Sequence, residues 1–333
     1  MTREDRWLLP EGIDEVLPPR AWQLERLRRR LLDHYHVQGY ELVMPPFVEF
    51  LDSLLIGAGS DLDLATFKLI DQSSGRTLGV RADMTPQVAR IDAHGLKQHR
   101  HPTRLCYMGT VLHTRGDGLG SSRSPVQVGA EIYGHSCLAS DLEILSLLVT
   151  TLELAGIPEP HLDLGHVAVF RGLVRQAGLD PERESQLFEI LQRKALPELE
   201  ALLANWRLDP KIRTMLLDLA DLNGAPGVLN QAEHRLAEAE VDVRQALDTL
   251  RQTIAALEQR HPGLPLHVDL AELRGYQYHT GLVFAVYIPG QGQEIARGGR
   301  YDRIGEVFGR ARPATGFSAD LKKLQQLGQL PEE

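Results

Sequence analysis

The sequence predicts an α+β fold, with a mixed and mainly antiparallel sheet that is flanked by helices and interrupted by a helical insertion. Residues 104–113 and 124–134 have the composition of two strands joined by a glycine-rich loop. Residues 181–260 are rich in Leu, Ala, Glu, Gln and Arg, with helical spacing throughout. Strand character then returns at residues 266–270 and 282–288. The order of strands, helices and strands is typical of an α+β chain.

The N-terminal elements follow from apolar spacing and from the positions of proline and glycine. Four side chains at helical spacing predict a helix over residues 21–38: Leu24, Leu27, Leu31 and Tyr35. Gly39 suits the position just after the end of that helix. Residues 40–44 then predict a short strand, because the prolines at 45 and 46 stop it.

The remaining elements outside the helical insertion are predicted in the same way. Residues 66–82 predict a hairpin with its turn at 73–75. Thr85 is expected to cap a helix over residues 86–96, with Pro86 at its first position. Further helices are predicted over two ranges: 140–155 and 318–327.

Composition and charge exclude several classes of protein. The chain has 333 residues, 43% of them hydrophobic, and no run of about 20 apolar residues, so we expect a globular chain that does not span a membrane. Its net charge of -9 argues against a basic field for nucleic acid. The two cysteines exclude a disulfide framework and favour the cytoplasm. No metal site is expected, because the paired histidines lack carboxylate or cysteine neighbours at ligand spacing: His34, His36, His99 and His101.

The strand over 124–134 presents polar side chains on one of its faces. Period-two alternation places Gln127, Gly129 and Glu131 together, opposite a face that is entirely apolar. An amide and a carboxylate on either side of a glycine leave an open slot above the sheet. Because a buried carboxylate is costly unless it is paired, Glu131 is expected to meet a ligand or a cation if this face is buried. The alternative is that this face lies in solvent.

Two further segments carry residues suited to a small polar ligand. Asp83 and Thr85 alternate onto one side where a strand gives way to a helix, and a carboxylate and a hydroxyl there could hold an ammonium group. The alternative is a capping threonine beside a surface aspartate. Residues 273–281 and 297–302 cluster Gly, Tyr, Arg and His between strands, which is typical of a ligand site. An arginine there supplies a fork for a carboxylate.

Six segments together resemble the histidyl-tRNA synthetase family over residues 8–325. The segments are 10–18, 81–85, 107–109, 123–131, 298–302 and 315–317. The resemblance implies the class II synthetase core over residues 1–178 and 262–333, with 179–261 as a helical insertion. Because the sequence stops at Glu333, the anticodon-binding domain with which a synthetase continues is expected to be absent. The resemblance also implies a dimer whose interface is formed by the helix and strand of residues 21–45.

The nucleotide-binding positions of that family are altered in this chain. Where the family has phosphate-holding arginines, His113 and Lys323 occur, and Lys322 stands for a glutamate. Asp320 replaces a glycine and adds a negative charge near the expected triphosphate. Lysine keeps its charge but lacks the planar fork of arginine, so each change weakens phosphate binding. The family's ATP chemistry is therefore expected to be absent, with no catalytic residue and no cofactor.

The amino-acid pocket of the family is retained. The resemblance assigns L-histidine binding to six residues: Asp83, Thr85, Gln127, Glu131, Arg274 and Tyr278. Asp83 replaces a glutamate of the family. The first three would accept the α-ammonium, Glu131 would accept an imidazole N–H, and Arg274 would bind the carboxylate. Three more residues are candidates for this site: Arg123, Tyr301 and His279, which replaces a tyrosine of the family.

An intact histidine pocket with altered ATP motifs resembles the family of regulatory subunits of ATP phosphoribosyltransferase. The resemblance implies that the chain partners the short-form catalytic subunit in the first step of histidine biosynthesis and mediates feedback inhibition by histidine. It further implies a dimer within a hetero-octamer and no tRNA partner. Two alternatives stay open: a truncated synthetase-like enzyme that adenylates histidine, and a histidine-binding or tRNA-mimicking relative with another partner.

Overall fold

The structure is a computed structural model that describes residues 7–56, 60–98, 102–116, 122–273, 275–276 and 278–329, with the backbone alone at 60 and 61. The helices are α1 (Arg20–Val37), α2 (Leu51–Leu54), α3 (Ser60–Ala65), α4 (Thr85–Arg90), α5 (Leu138–Leu154), α6 (Val167–Gln176), α7 (Pro181–Gln192), α8 (Leu196–Asn205), α9 (Pro210–Leu219), α10 (Val228–Arg235), α11 (Val241–Arg260) and α12 (Leu321–Leu327). The strands are β1 (Glu41–Leu42), β2 (Val48–Phe50), β3 (Phe67–Ile70), β4 (Thr77–Val80), β5 (Thr103–Thr110), β6 (Val126–Tyr133), β7 (His161–His166), β8 (Asn223–Gly224), β9 (Leu266–Asp269), β10 (Leu282–Tyr287), β11 (Ala296–Arg300) and β12 (Ala314–Asp320). The chain thus has the α+β fold that the sequence predicts.

One compact unit comprises residues 1–135, 147–158 and 303–333 within the described parts of the chain. Its main sheet has the order β1-β5-β6-β12, in which β1 and β5 are parallel and the other pairs antiparallel. The register places Tyr107 of β5 opposite Gly129 of β6, and Glu131 of β6 opposite Gly316 of β12. A second, antiparallel sheet has the order β2-β4-β3 and includes the predicted hairpin.

The core of this unit is formed in part by α1. Leu27, Leu31 and Tyr35 are at most 1% exposed, and the Tyr35 hydroxyl lies 2.9 Å from the Thr151 hydroxyl. The ring of Tyr35 meets Phe317 of β12 edge to face. Leu27 and Leu31 are therefore core residues of their own chain, and the expectation that they contribute to a dimer interface is wrong. Only the other face of α1 is available to a partner.

The second compact unit comprises residues 136–146 and 159–302, again within the described parts. Its strands have the order β11-β10-β7-β9-β8. β10 pairs antiparallel with β7 and β11, whereas β7 and β9 are parallel. Helices α7 to α11 fall in the predicted insertion 179–261, and the division of the chain into a synthetase-like core and an insertion stays a prediction.

A buried ion pair stabilises the described part of each unit. In the first unit, Arg312 donates to Asp92 at 2.6 Å and to the Thr103 hydroxyl at 3.2 Å. In the second, Arg300 lies 2.9 Å from Asp141 and also donates to Ser140 at the start of α5. Charges this deeply buried are tolerated because hydrogen bonds surround them.

Two predicted helix starts are wrong. The helix predicted over 318–327 begins only at Leu321, because residues 314–320 pair with β6 as strand β12. Thr85 does not cap α4: Met84 precedes the helix without a side-chain cap, and the Thr85 hydroxyl bonds Tyr107 instead. The predicted 86–96 helix also changes to a π-helical turn at Ile91–Gly95.

Candidate functional site

Four of the predicted ligand residues lie together in the first unit. Asp83 and Thr85 follow β4 at the start of α4, and Gln127 and Glu131 project from β6. Hydrogen bonds join the two groups directly and through Tyr107. Pairing between distant parts of the sequence therefore places the predicted amide, hydroxyl and carboxylates in one network.

The amide of Gln127 is held at both of its ends. Its Nε2 donates to Oδ1 of Asp83 at 2.7 Å, and its Oε1 accepts from the backbone N–H of Met84 at 2.8 Å. The same Asp83 oxygen accepts from the Thr85 N–H at 2.9 Å. The turn from β4 into α4 is thus bonded to β6 through Gln127, which fixes the direction of the Asp83 carboxylate.

Tyr107 completes the network and was not among the residues predicted from the sequence. Its hydroxyl lies 3.0 Å from the Thr85 hydroxyl and donates to Oε1 of Glu131 at 3.0 Å. A Cβ on Gly129, the opposite residue of β6, would collide with that hydroxyl. The slot predicted above Gly129 is therefore occupied by Tyr107. The register between β5 and β6 is the signal that could have found it, because a strand glycine often marks a close approach.

Glu131 is a buried carboxyl, only 1% exposed. Burial, which penalises the charged form, raises the pKa of Glu131 well above its usual range, and the nearby Asp83 charge adds to the rise. The same penalty raises the pKa of the Tyr107 hydroxyl. The solvent-facing alternative for this face is wrong. A carboxyl in this setting is suited to bond an N–H of a ligand that brings positive charge.

Gly316 has no Cβ, and the Glu131 side chain occupies the space that this atom would fill. A Cβ on Gly316 would overlap Oε2 of Glu131 and would lie 2.7 Å from the carbonyl oxygen of Ala130. The glycine of the predicted 315–317 motif is therefore required by packing beneath the carboxyl.

The second unit brings together Tyr278, His279 and Tyr301. The rings of Tyr278 and Tyr301 have centroids 5.7 Å apart, and the His279 ring lies 6.2 and 6.4 Å from them. The Nδ1–H of His279 donates to the Gly275 carbonyl at 3.1 Å, and a Cβ on Gly299 would lie 2.7 Å from the His279 ring. The His279 ring is thus fixed by a hydrogen bond and by close packing against Gly299. Arg274 lies outside the described residues, and its expected role stays a prediction.

Arg123, another predicted candidate, contacts backbone carbonyls in this structure. Its Nε donates to the His113 carbonyl and its terminal nitrogen to the Glu11 carbonyl, both at 3.0 Å. The His113 ring donates through Nε2 to the Ala82 carbonyl at 2.9 Å. Arg123 therefore holds the backbone at His113 and Glu11, and the His113 ring holds the backbone just after β4. A direct contact of Arg123 with a ligand stays a prediction.

The altered nucleotide positions have structural roles as well. The Asp320 carboxylate accepts from the backbone N–H groups of Lys322 and Val126, at 3.0 and 3.1 Å. The ammonium of Lys322 lies 3.2 Å from Asp14 and 3.4 Å from the Ser124 hydroxyl. Asp320 thus caps α12, and Lys322 ties the N-terminal segment to the chain.

Comparison with known proteins identifies relatives of the whole chain. A family model described as histidyl-tRNA synthetase matches residues 12–324. The ATP phosphoribosyltransferase regulatory subunit of Alkalilimnicola ehrlichii is 61% identical over 326 residues, which are 98% of this chain and 81% of that protein. The corresponding protein of Pseudomonas syringae is 58% identical over 99% of this chain and 82% of its own length.

Solved structures have the same fold. One described as an ATP phosphoribosyltransferase regulatory subunit/histidyl-tRNA synthetase from Bacillus halodurans is 26% identical, with a TM-score of 0.88 over 98% of this chain and 84% of that one. A chain of an ATP phosphoribosyl transferase complex from Thermotoga maritima is 16% identical, with a TM-score of 0.68 over 89% of this chain and 96% of that one, which shows the fold alone. In the described part of the chain, no helix is both long and apolar enough to cross a bilayer.

Proposed function

The chain belongs to the histidyl-tRNA synthetase family and, within it, to the ATP phosphoribosyltransferase regulatory subunits, and from this premise we propose that it binds L-histidine and passes that signal to a catalytic subunit. The proposal places the chain in the first step of histidine biosynthesis, in the cytoplasm, as a dimer within a hetero-octamer. The main supporting observation is the hydrogen-bonded network of Glu131, Tyr107, Thr85, Asp83 and Gln127, in which Glu131 and Tyr107 are buried.

Each part of this network suits one part of the amino acid. Asp83 and the Thr85 hydroxyl, with the amide oxygen of Gln127, supply acceptors for the α-ammonium group. Glu131, held by Tyr107, supplies an acceptor for an imidazole N–H. A ligand that brings a positive charge to Glu131 would offset the cost of ionising a buried carboxyl. The family resemblance assigns the carboxylate of the ligand to Arg274 and includes Tyr278 among the histidine-binding residues.

Calorimetry with the purified chain and L-histidine tests the site. Glu131→Ala removes a charge-assisted hydrogen bond, so we expect an affinity about 10- to 150-fold weaker. Glu258→Ala, at an exposed glutamate of α11, is the matched control and should leave the affinity unchanged. Equal affinity of the Glu131 variant and the wild type would place the ligand elsewhere.

The complex with the catalytic subunit tests the regulation. Coupling between two sites is reciprocal, so the histidine inhibition curve of the Glu131→Ala complex should move to higher concentration by the same factor as its binding curve. Its uninhibited rate should stay at the wild-type value, because no catalytic group of the partner is removed. Inhibition at the wild-type histidine concentration would separate the feedback site from this network.

Isotope exchange between pyrophosphate and ATP separates this function from histidine adenylation. We expect no histidine-dependent exchange, since His113 bonds the Ala82 carbonyl and Asp320 caps α12 where the family binds phosphates. Exchange at rates typical of a synthetase would favour the alternative of a truncated synthetase-like enzyme.

A further inference from the structure

Tyr276 is packed into the helices of the second unit, although it lies in the segment that carries two candidate ligand residues. It is 8% exposed, and its ring meets Phe170 of α6 edge to face with centroids 5.0 Å apart. Phe188 of α7 lies on another side of the ring at 5.5 Å. The Tyr276 hydroxyl donates a hydrogen bond to Oε1 of Glu184 in the first turn of α7.

Arg171 of α6 holds the same residue by its main chain. Its guanidinium donates to the Tyr276 carbonyl at 2.7 Å and lies over the Tyr276 ring, 4.7 Å from the centroid. The side chain and the backbone of Tyr276 are therefore both fixed to α6 and α7. A tyrosine hydroxyl buried among apolar rings needs such a partner, so Glu184 specifies this position of the ring.

Hydrogen bonds within the turn transmit that position to its neighbours. The backbone N–H groups of Tyr278 and His279 both donate to the Gly275 carbonyl, at 2.8 and 3.0 Å. Gly275 has a φ of +67°, which favours glycine and keeps the turn tight. The side chains of Tyr278 and His279, by contrast, pack against Tyr301. A displacement of Tyr276 must therefore move the backbone that orients Tyr278 and His279.

We propose that Tyr276, held by Glu184 and Arg171, is a positioning residue that sets the orientation of Tyr278 and His279 for histidine and couples the bound ligand to helices α6 and α7. This inference rests on the proposed function and deepens it. Ligand binding would affect these helices because a movement of the turn shifts the Tyr276 ring, which lies between Phe170 and Phe188. By reciprocity, a change that loosens α7 from Tyr276 should weaken ligand binding.

Tyr276→Phe is the main test, because it keeps the ring packing and removes the hydroxyl. We expect histidine to bind roughly 3- to 10-fold more weakly by calorimetry, as for the loss of one buried hydrogen bond. Glu184→Ala should have the same effect, and the double variant should be no weaker than either single one. Glu184→Gln keeps an acceptor oxygen and should rescue binding. Glu189→Ala, at an exposed position of the same helix, is the control.

Hydrogen exchange of the full chain distinguishes this role of Tyr276 from a contribution to stability alone. Histidine should slow amide exchange in α7 of the wild type and of the Glu189 control, but not in Tyr276→Phe. A variant that melts at a lower temperature yet binds histidine with wild-type affinity and protects α7 would overturn this inference alone. A wild-type chain that binds no histidine would overturn both this inference and the proposed function.

Discussion

Gly316 is the residue whose substitution tests the hydrogen-bonded network around Glu131 without removing any of its polar groups. In Gly316→Ala the new Cβ would overlap Oε2 of Glu131, so the carboxyl must leave its place or β12 must shift from β6. We expect the free energy of unfolding to fall by about 1–3 kcal/mol, as for other overpacked cores. Histidine binding should weaken in calorimetry, although Glu131 and Gln127 are unchanged.

Gly292→Ala is the matched control, because no atom lies within 4 Å of a Cβ built there. Its stability and affinity should match those of the wild type. If Gly316→Ala bound histidine as tightly as that control, the position of the Glu131 carboxyl would not matter for the ligand.

His166 makes stability depend on pH. Its Nδ1 accepts from the Ala168 N–H, and burial, with the charge of Arg300, lowers the pKa of His166 from 6.5 to about 4. Between these values the unfolded chain binds more protons, so the free energy of unfolding falls as the pH drops from 6.5 towards 4. The full loss is at most about 3 kcal/mol. His166→Asn keeps an acceptor for Ala168 and does not titrate, so urea titrations should show a shallower loss with acid.

If the stability curves of the wild type and of His166→Asn ran parallel between pH 6.5 and 4, His166 would have the same pKa in the folded and the unfolded chain. A change at pH 8 alone would report packing, because the histidine is neutral there in the folded and unfolded chains.

At the scale of elements, the junction of β12 and α12 depends on Asp320. Its carboxylate accepts from Lys322, as the cap of α12, and from Val126 of β6, so one side chain joins a helix start to a neighbouring strand. Asp320→Ala leaves both N–H groups without this acceptor and should cost about 1–2 kcal/mol in urea unfolding. Asp320→Asn keeps one acceptor oxygen and should lose less. Equal losses in the two variants would assign the effect to charge.

The sequence predicts the elements whose signals are local. The helix of α1 and the hairpin of β3 and β4 were located within a few residues, because apolar spacing and turn residues mark them. Residues 318–320 of β12 are predicted as helix from their composition, but they pair with β6 from about 190 residues away in sequence. Strand identity there is set by tertiary pairing, which local composition does not encode.

The candidate site shows the same division between local and distant signals. Asp83, Thr85, Gln127 and Glu131 were found from motifs, and the structure joins them by hydrogen bonds. Tyr107 was missed because only the register of β5 against β6 brings its hydroxyl between Thr85 and Glu131. A threonine just before a predicted helix indicates a cap. The actual partner of its hydroxyl lies 22 residues away in sequence, where no local signal reveals it.

At the scale of the whole molecule, the family resemblance predicts a dimer, and the exposed apolar residues indicate which surface would form it. β1 lies at the edge of its sheet in the described part of the chain. Leu42 at its end is 44% exposed, and Met44, two residues further on, is 77% exposed. Phe47, just beyond, is 44% exposed. Apolar side chains along a strand edge favour association with another chain.

Sedimentation of the purified chain at micromolar concentration should therefore show a dimer, with an interface of more than roughly 2,000 Å² if the association is obligate. Leu42→Lys places a charge on this edge and should shift the chain towards monomer, because a lysine would have to be buried unpaired across the two-fold axis. Leu196→Lys is the control: Leu196 is also 44% exposed but lies on α8, outside residues 21–45. It should leave the sedimentation coefficient unchanged. A wild type that sediments as a monomer would remove the dimer from the proposal, and dissociation by both lysine variants alike would move the interface away from β1.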